Sequence, residues 1–408
     1  VGLIVQKFGG TSLADSSHIK RAAKRVAEVK RAGNQVIVVV SARGQTTDEL
    51  YALAYEITDN PSSRELDMLV STGEQVSACL LTMALHAMGE EASAFTAGQI
   101  GILTDSRHTK AKIMRIDPQR LGQELEQGSI PVVAGFQGVD EQDNITTLGR
   151  GGSDTTAVAL AAVFKADICE IYTDVEGVYT SDPRIVAEAR KLSVLSYDEM
   201  LELASSGASV LQHRAVEFAK KYNVPVMVRS SFSDFPGTII SEEVRTMEDV
   251  VVRGAAVEKN EAKITIRGVP DRPGIAARIL GSVAEQDLNI DMIVQNISAE
   301  GLTDVTLTVA RSDLKEAIEV FEKLKKEIGA RGVESDEHIA KISVVGVGMR
   351  THSGVATKMF QALAEAGINI QMISTSEIKI SCVIDEKSAD EALRVVHKAF
   401  ELEKAATK

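Results

Sequence analysis

Through the first half of the chain, short, mainly apolar runs alternate with longer stretches of helical period. The runs lie at residues 3–5, 36–40, 131–134, 168–172 and 224–228. A continuously apolar strand is covered on both faces, and strands separated by helices pair in parallel. Between the first two runs, Ile19, Ala22, Ala23, Val26 and Val29 share one face of a predicted helix that Ser16 or Ser17 would cap and Gly33 would stop. Ser196 and Glu199 have the spacing of a capping box ahead of Met200, Leu201 and Leu203, which predicts another helix start. After Val228 the alternation lapses into a polar stretch at 230–237, one short strand at 238–240 and an acidic run at 242–249. The pattern therefore predicts a domain boundary at 245/246.

Beyond that boundary the chain repeats itself, and repeats take precedence over other fold signals. Gly274-Ile-Ala-Ala-Arg278 and Gly354-Val-Ala-Thr-Lys358 stand 80 residues apart, as do Asn289-Ile290 and Asn369-Ile370, and Met292-Ile293 and Met372-Ile373. Each copy offers an apolar strand (262–266; 342–345), a Gly-containing loop, an amphipathic helix, a strand through Asn-Ile, more β-rich sequence and a second helix (314–328; 389–400). This is a β-α-β-β-α half, the pattern of a ferredoxin-like module. The expected fold class is thus α/β: a parallel-sheet sandwich at 1–245, followed by two α+β modules at 246–336 and 337–408.

A length of 408 residues suits two or three domains, and a formal net charge of −13 with no Lys/Arg block argues against nucleic acid and anionic membranes. Aromatic residues are 4% and Trp is absent, which removes stacking platforms for single strands. The three cysteines (Cys79, Cys169, Cys382) form no close pair, and the seven histidines form no metal-binding cluster. No apolar run approaches the ~20 residues of a membrane helix. Residues 2–5 read as a strand and not as a signal peptide, so a cytoplasmic protein is expected.

Chemistry concentrates in loops. Lys7-Phe-Gly9-Gly10-Thr11-Ser12 follows the first strand; two glycines let backbone N–H groups approach an anion, and the lysine adds charge. The spacing is neither a Walker A loop nor GxGxxG, and Gly-Gly after a strand also makes an ordinary turn. The loop at 146–156, TTLGRGGSDTT, runs into an Ala/Val-rich helix and makes a second anion site from three glycines, Arg150 and a helix amino terminus. Asp154 there also suits a plain helix cap. Glu74, in STGE at 71–74, suits a favourable first-turn acid as well as a ligand contact. The stretch at 172–184, YTDVEGVYTSDPR, reads as an Asx/Pro turn or as a nucleotide lip. Ligands of open α/β sheets bind beyond the carboxyl ends of the strands, where these loops fall.

These segments, together with STSEIKIS at 374–381, resemble in order and spacing the aspartokinases of the amino-acid kinase superfamily, with paired ACT domains behind the kinase domain. The similarity runs over essentially the whole chain. The resemblance implies transfer of the ATP γ-phosphate to the β-carboxylate of L-aspartate, giving 4-phospho-L-aspartate, with Mg²⁺ held mainly by the nucleotide phosphates and no metal site of the protein's own. It implies that Lys7, Gly9 and Gly10 hold the β- and γ-phosphates and that Thr173, Asp174, Tyr179 and Arg184 line the nucleotide. Aspartate would meet Ser41, Thr47, Glu74, Arg150 and Ser153, with Arg150 on the α-carboxylate and Glu74 on the α-ammonium; Asp154 would orient Lys7.

The resemblance further implies the first step of lysine, threonine and methionine biosynthesis, feedback inhibition by lysine and/or threonine, and a homodimer or larger homo-oligomer. The expected effector residues are Asp271, Gly274, Ile275, Asp291 and Gln295 in one copy, and His352, Gly354, Val355, Asn369 and Ile370 in the other. Asp271 or Asp291 would accept the effector's ammonium. Two departures stand out: residues 228–232 lack the second phosphate-binding lysine common in the superfamily, leaving Arg229 as the substitute, and Arg43 stands beside Ser41 where many relatives are uncharged. The alternatives are a sister kinase acting on N-acetylglutamate, glutamate or UMP, and an inactive kinase-like amino-acid sensor. An acceptor without an ammonium group would leave a buried Glu74 uncompensated, and loss of Lys7, Arg150 or Asp154 would mark a sensor; all three are present.

Overall fold

The apolar runs become the interior of the main sheet: Val5, Ile37, Val38, Val39, Val132 and Ile171 are buried. The computed structural model describes residues 2–208, 210–242, 251–286, 288–297, 301–350 and 352–404. The expected boundary at 245/246, with most of the acidic run, lies outside them. The described chain divides into two units. The first takes the residues up to Val178, Lys191–Ala204 and those from 210 to 242; the second takes Tyr179–Arg190, Ser205–Ala208 and the residues from 251 onward.

In the first unit eight strands form one sheet, in the order Val194–Ser196, Thr238–Ser241, Val226–Ser230, Ile168–Thr173, Leu3–Phe8, Gln35–Val40, Ile130–Ala134, Ala92–Phe95. Every pair is parallel except Val226–Ser230 with Thr238–Ser241. Successive side chains alternate between faces. Phe8 and Tyr172 stack at 4.7 Å on the face covered by the helices Ser16–Arg31 and Thr72–His86, so Lys7 belongs to the opposite face. The cap of Ser16–Arg31 is Asp15, whose carboxylate accepts the N–H groups of Ser17 and His18; it displaces the serines expected there. The capping box at 196–199 closes reciprocally, Ser196 N–H to Glu199 at 3.1 Å and Glu199 N–H to Ser196 Oγ at 3.2 Å.

A second sheet orders Ile113–Ile116, Ile102–Thr104, Gln137–Val139 and Ile145–Thr147, strands too short to leave a readable period. The adjoining helices Ser63–Val70 and Thr72–His86 make one stretch long and apolar enough by composition to cross a bilayer, which the sequence reading did not anticipate. Half of its most apolar window is buried within the unit, and it carries the buried carboxylates Asp67 and Glu74.

The second unit holds two sheets of four strands. One orders Ile290–Ile297, Leu302–Ala310, Glu261–Pro270 and Gly332–Asp336, with Ile279, Phe321 and Leu324 of the helices Ile275–Ala284 and Leu314–Ile328 in its core. The other orders Gly254–Glu258, Ile339–Val345, Lys379–Asp385 and Met372–Thr375, packed on Val355–Glu365 and Ala389–Ala399. The duplication is therefore interleaved: Gly254–Glu258 falls within the 246–336 stretch expected for the first module yet pairs antiparallel with Ile339–Val345 of the second. The modules meet through equivalent positions, Met292 and Met372 sharing one small core. Beside it the buried Lys341 ammonium donates to both Glu261, its counterpart 80 residues earlier, and Asp291. Tyr179–Arg190 packs here too, with Val186 in the second module's core and Thr180 Oγ1 3.0 Å from His397 Nε2.

Candidate active site

The carboxyl ends of adjacent strands are knitted by backbone bonds: Gly9 N–H to Tyr172 O (3.1 Å), Ser41 N–H to Phe8 O (3.1 Å) and Gly135 N–H to Val40 O (3.0 Å). The strand Leu3–Phe8 aims Lys7 at the helix Gly152–Phe164, and its ammonium lies 2.5 Å from Asp154. That helix starts at Gly151, in the left-handed region with φ 69°, with no side-chain cap. Asp154 therefore does not cap it; Gly152 N–H is taken by Gly149 O at 2.9 Å, and the Ser153 and Asp154 N–H groups have no partner among the described residues and suit an anion. A Cβ on Gly135 would sit 2.9 Å from Ser153 Oγ, and one on Gly9 would sit 3.7 Å from Lys7 Nζ. The two anion loops read from the sequence are thus brought together, joined by the Lys7–Asp154 pair.

Gly10 has no room for a side chain, since a Cβ there would lie 2.8 Å from Ala42 O. Ala42 in turn donates its N–H to Glu74 Oε1 at 3.0 Å. Glu74 is 3% exposed, and its second oxygen, Oε2, has no partner. Burial pushes its pKa up to about 7, against the pull of the Ala42 N–H. A buried carboxyl with one unpartnered oxygen has the capacity to take a cation or a hydrogen-bond donor there. Ser41 and Thr47 lie half-buried in the same loop and at the start of the helix Thr46–Ile57. Arg150 is exposed and makes no hydrogen bond or ion pair among the described residues, so its planar fork is available to a carboxylate.

Thr173 Oγ1 donates to Asp174 at 3.0 Å at the end of its strand. The division between units falls at Val178, so Thr173 and Asp174 belong to the first unit and Tyr179 and Arg184 to the second. Arg184 is held by the Asp182 carboxylate at 2.7 Å. Arg229 does not stand in for the missing lysine beside Lys7. It lies on the Phe8–Tyr172 face, 3.2 Å from Glu170 and over the Tyr172 ring. Arg43 turns to donate to the Ala14 carbonyl at 3.1 Å.

Of the expected effector residues, Gly274 and Gly354 adopt matching left-handed caps, φ 92° and 91°, at the starts of Ile275–Ala284 and Val355–Glu365. Ile275 and Val355 point into the module cores, so only their backbone faces the loops. Asp291 already has the Lys341 ammonium, whereas the exposed Asp271 carboxylate has no partner among the described residues. Gln295 is exposed, His352 Nδ1 meets Gly348 O at 2.9 Å, and Ile370 packs half-buried against the second module's core. Asn369 lines a surface cleft of about 350 Å³ with Gln371 and Lys387.

The sequence reading missed Asp67, Phe136 and Arg214. Phe136 holds φ 69°, strained for a residue with a side chain, and packs on Gly152. An Asp between buried Leu66 and Val70 on one helix is a signal in hindsight, but its partners lie in other segments.

Residues 2–230 match the model of the amino acid kinase family, and residues 264–326 and 342–400 each match an ACT domain. An aspartate kinase of Pseudomonas putida is 54% identical, covering 99% of this chain and 98% of that protein. An aspartokinase of Mycobacterium tuberculosis is 48% identical, covering 98% of this chain and 97% of its own length. Among solved structures, E. coli aspartokinase III in complex with aspartate and ADP, in its R-state, superposes with a TM-score of 0.84 at 26% identity, covering 97% of this chain and 99% of that one. The same enzyme with lysine and aspartate, in its T-state, gives 0.74 at 26% identity, covering 98% and 99%.

Proposed function

The chain belongs to the aspartokinases of the amino acid kinase family, and from that membership we propose that it phosphorylates the β-carboxylate of L-aspartate with ATP. The observation that carries the choice of acceptor is Glu74: a buried carboxylate with one unpartnered oxygen fits an α-ammonium and would be left uncompensated by an N-acylated acid or a nucleotide. Arg150 takes the α-carboxylate, and Ser41, Thr47 and Ser153 contact the rest of the molecule. Gly9, Gly10 and Lys7 hold the β- and γ-phosphates. Thr173 and Asp174 face the nucleotide; Tyr179 and Arg184 are assigned to it on the sequence motif alone.

A carboxylate is already ionised at neutral pH, so no general base is needed. Its oxygen attacks the γ-phosphorus in line, the bond to the β–γ bridging oxygen breaks, and ADP leaves. Catalysis is positioning plus charge stabilisation by Lys7, oriented by Asp154, and by glycine and helix N–H groups. Mg²⁺ enters with the nucleotide. Such an ion is commonly held by substrate phosphates with at most one or two carboxylates, and the phosphates would hold it mainly.

The product, 4-phospho-L-aspartate, would open lysine, threonine and methionine biosynthesis. Lysine and/or threonine would inhibit through the ACT modules, with Asp271, whose carboxylate has no partner among the described residues, as the better seat for the effector's ammonium. The edge strands Ile290–Ile297 and Met372–Thr375, with Ile293 and Ile373 exposed, support a homodimer or larger homo-oligomer, and the three free cysteines support a cytoplasmic location. An ADP-release assay with L-aspartate, glutamate and N-acetylglutamate tests the function. Turnover with aspartate alone is expected; none with any acceptor would leave an amino-acid sensor.

A further inference from the structure

Asp67 is fully buried on the helix Ser63–Val70, seven positions before Glu74, and the transfer chemistry makes no use of it. Its carboxylate accepts the Thr147 hydroxyl at 2.6 Å, the Thr147 N–H at 3.1 Å and the Thr109 N–H at 2.9 Å, and His108 Nδ1 lies 2.8 Å away. Thr147 ends the strand Ile145–Thr147, three residues before Arg150. The rest of that stretch is equally tied down. Ala111 N–H donates to Thr147 O at 2.9 Å, Leu148 N–H to Phe136 O at 2.8 Å, and Arg214 Nη1 to Leu148 O at 2.8 Å. Every backbone N–H and C=O of Thr147 and Leu148, two residues before Arg150, is therefore engaged. A second link runs the same way: Gln137, register partner of Thr147, donates its amide to Ser71 O at 3.0 Å.

A buried carboxylate is costly unless several donors satisfy it. Here the donors come from the Arg150 side of the site, while the carboxylate rides on the helix that leads into Glu74. We propose that Asp67 is a positioning residue that fixes the separation between Glu74 and Arg150, and hence the gauge of the α-amino-acid head group. The proposal rests on the reading of those two residues as ammonium and α-carboxylate contacts. Loosening the bridge moves the two contacts relative to each other and leaves Lys7, Asp154 and the phosphate loop as they are.

The test is steady-state kinetics on the full chain carrying Asp67→Asn, Thr147→Val or Arg150→Lys. Misplacing a substrate contact by about 1 Å costs up to roughly a hundredfold, so Asp67→Asn should raise KM for aspartate about 10- to 100-fold, with KM for ATP and kcat at saturating aspartate changed by less than about twofold. Thr147→Val, which deletes only the hydroxyl donor at nearly constant volume, should move KM for aspartate the same way by less, and it decides the matter if Asp67→Asn does not fold. Equal rises in both KM values, or a fall in kcat with KM for aspartate unchanged, would overturn the proposal. If Arg150→Lys raises KM for aspartate while the other two variants do not, the positioning role alone fails. If Arg150→Lys also leaves it unchanged, the head-group assignment fails first.

Discussion

Lys7 and Glu74 illustrate how a single side chain takes its chemistry from its surroundings. Lys7 sits in a strand whose backbone is fully paired, so Lys7→Ala should fold while losing the positive charge nearest the transferring group. Loss of one such group typically costs roughly 10² to 10³ in kcat; near-normal turnover by a folded variant would remove Lys7 from the phosphate site. Burial lifts the Glu74 pKa from 4.5 to about 7, so in the empty site it holds a proton that the unfolded chain has already released. Between those values stability falls as pH rises, and the ionised form needed for an ammonium gains population. The expected result is that kcat/KM for aspartate climbs as pH passes through about 7, whereas Glu74→Gln flattens that limb and raises KM for aspartate more than for ATP. Lys7, Glu74 and Arg150 were legible because glycines and a charge cluster in short motifs. Asp67 was not, because its donors come from segments 41 and 80 residues away.

At the scale of elements, the site depends on two loops pressed backbone to backbone. Gly10→Ala should force the first loop away from Ala42, whose N–H holds Glu74, and so raise KM for both substrates; a change in only one would show that the loops move independently. Arg229 belongs to the opposite face of the sheet. Arg229→Met would leave Glu170 buried with only Gln6 and Tyr172 as partners, at a cost on the order of 3 kcal/mol. Tm should therefore drop while KM for ATP holds; the reverse pattern would restore Arg229 to the phosphates. The parallel sheet could be read from its continuous apolar runs. The second sheet of the first unit could not, since strands of three or four residues bounded by loops carry no period, and the Asp15 cap was missed because two serines next to it suit the same position.

On the scale of the whole molecule, the duplication was visible as an 80-residue offset, but the lending of Gly254–Glu258 to the second sheet was not, because that strand carries none of the repeated motifs. The Lys341 pairing changes what the effector residues are expected to do. Asp271→Ala removes a carboxylate with no partner among the described residues. It should leave Tm unchanged while raising the inhibitory concentration of lysine or threonine by about 5- to 150-fold, the usual range of allosteric coupling. Asp291→Ala strips the buried Lys341 of one of its two carboxylates and should lower Tm. Inhibition curves and melting of both variants separate the cases; unaltered inhibition in Asp271→Ala would shift the ammonium seat elsewhere.

The lent strand also sets an order on synthesis. Gly254–Glu258 leaves the ribosome long before Ile339–Val345, its partner, exists, so the first module can close while that early strand still waits with an unpaired edge. A chain cut after 336 would never cover it, and exposed edges of this kind recruit other chains. Deleting the last module should thus yield an aggregating protein and not a smaller sensor, because the second copy completes its sheet with a strand that lies ahead of the first.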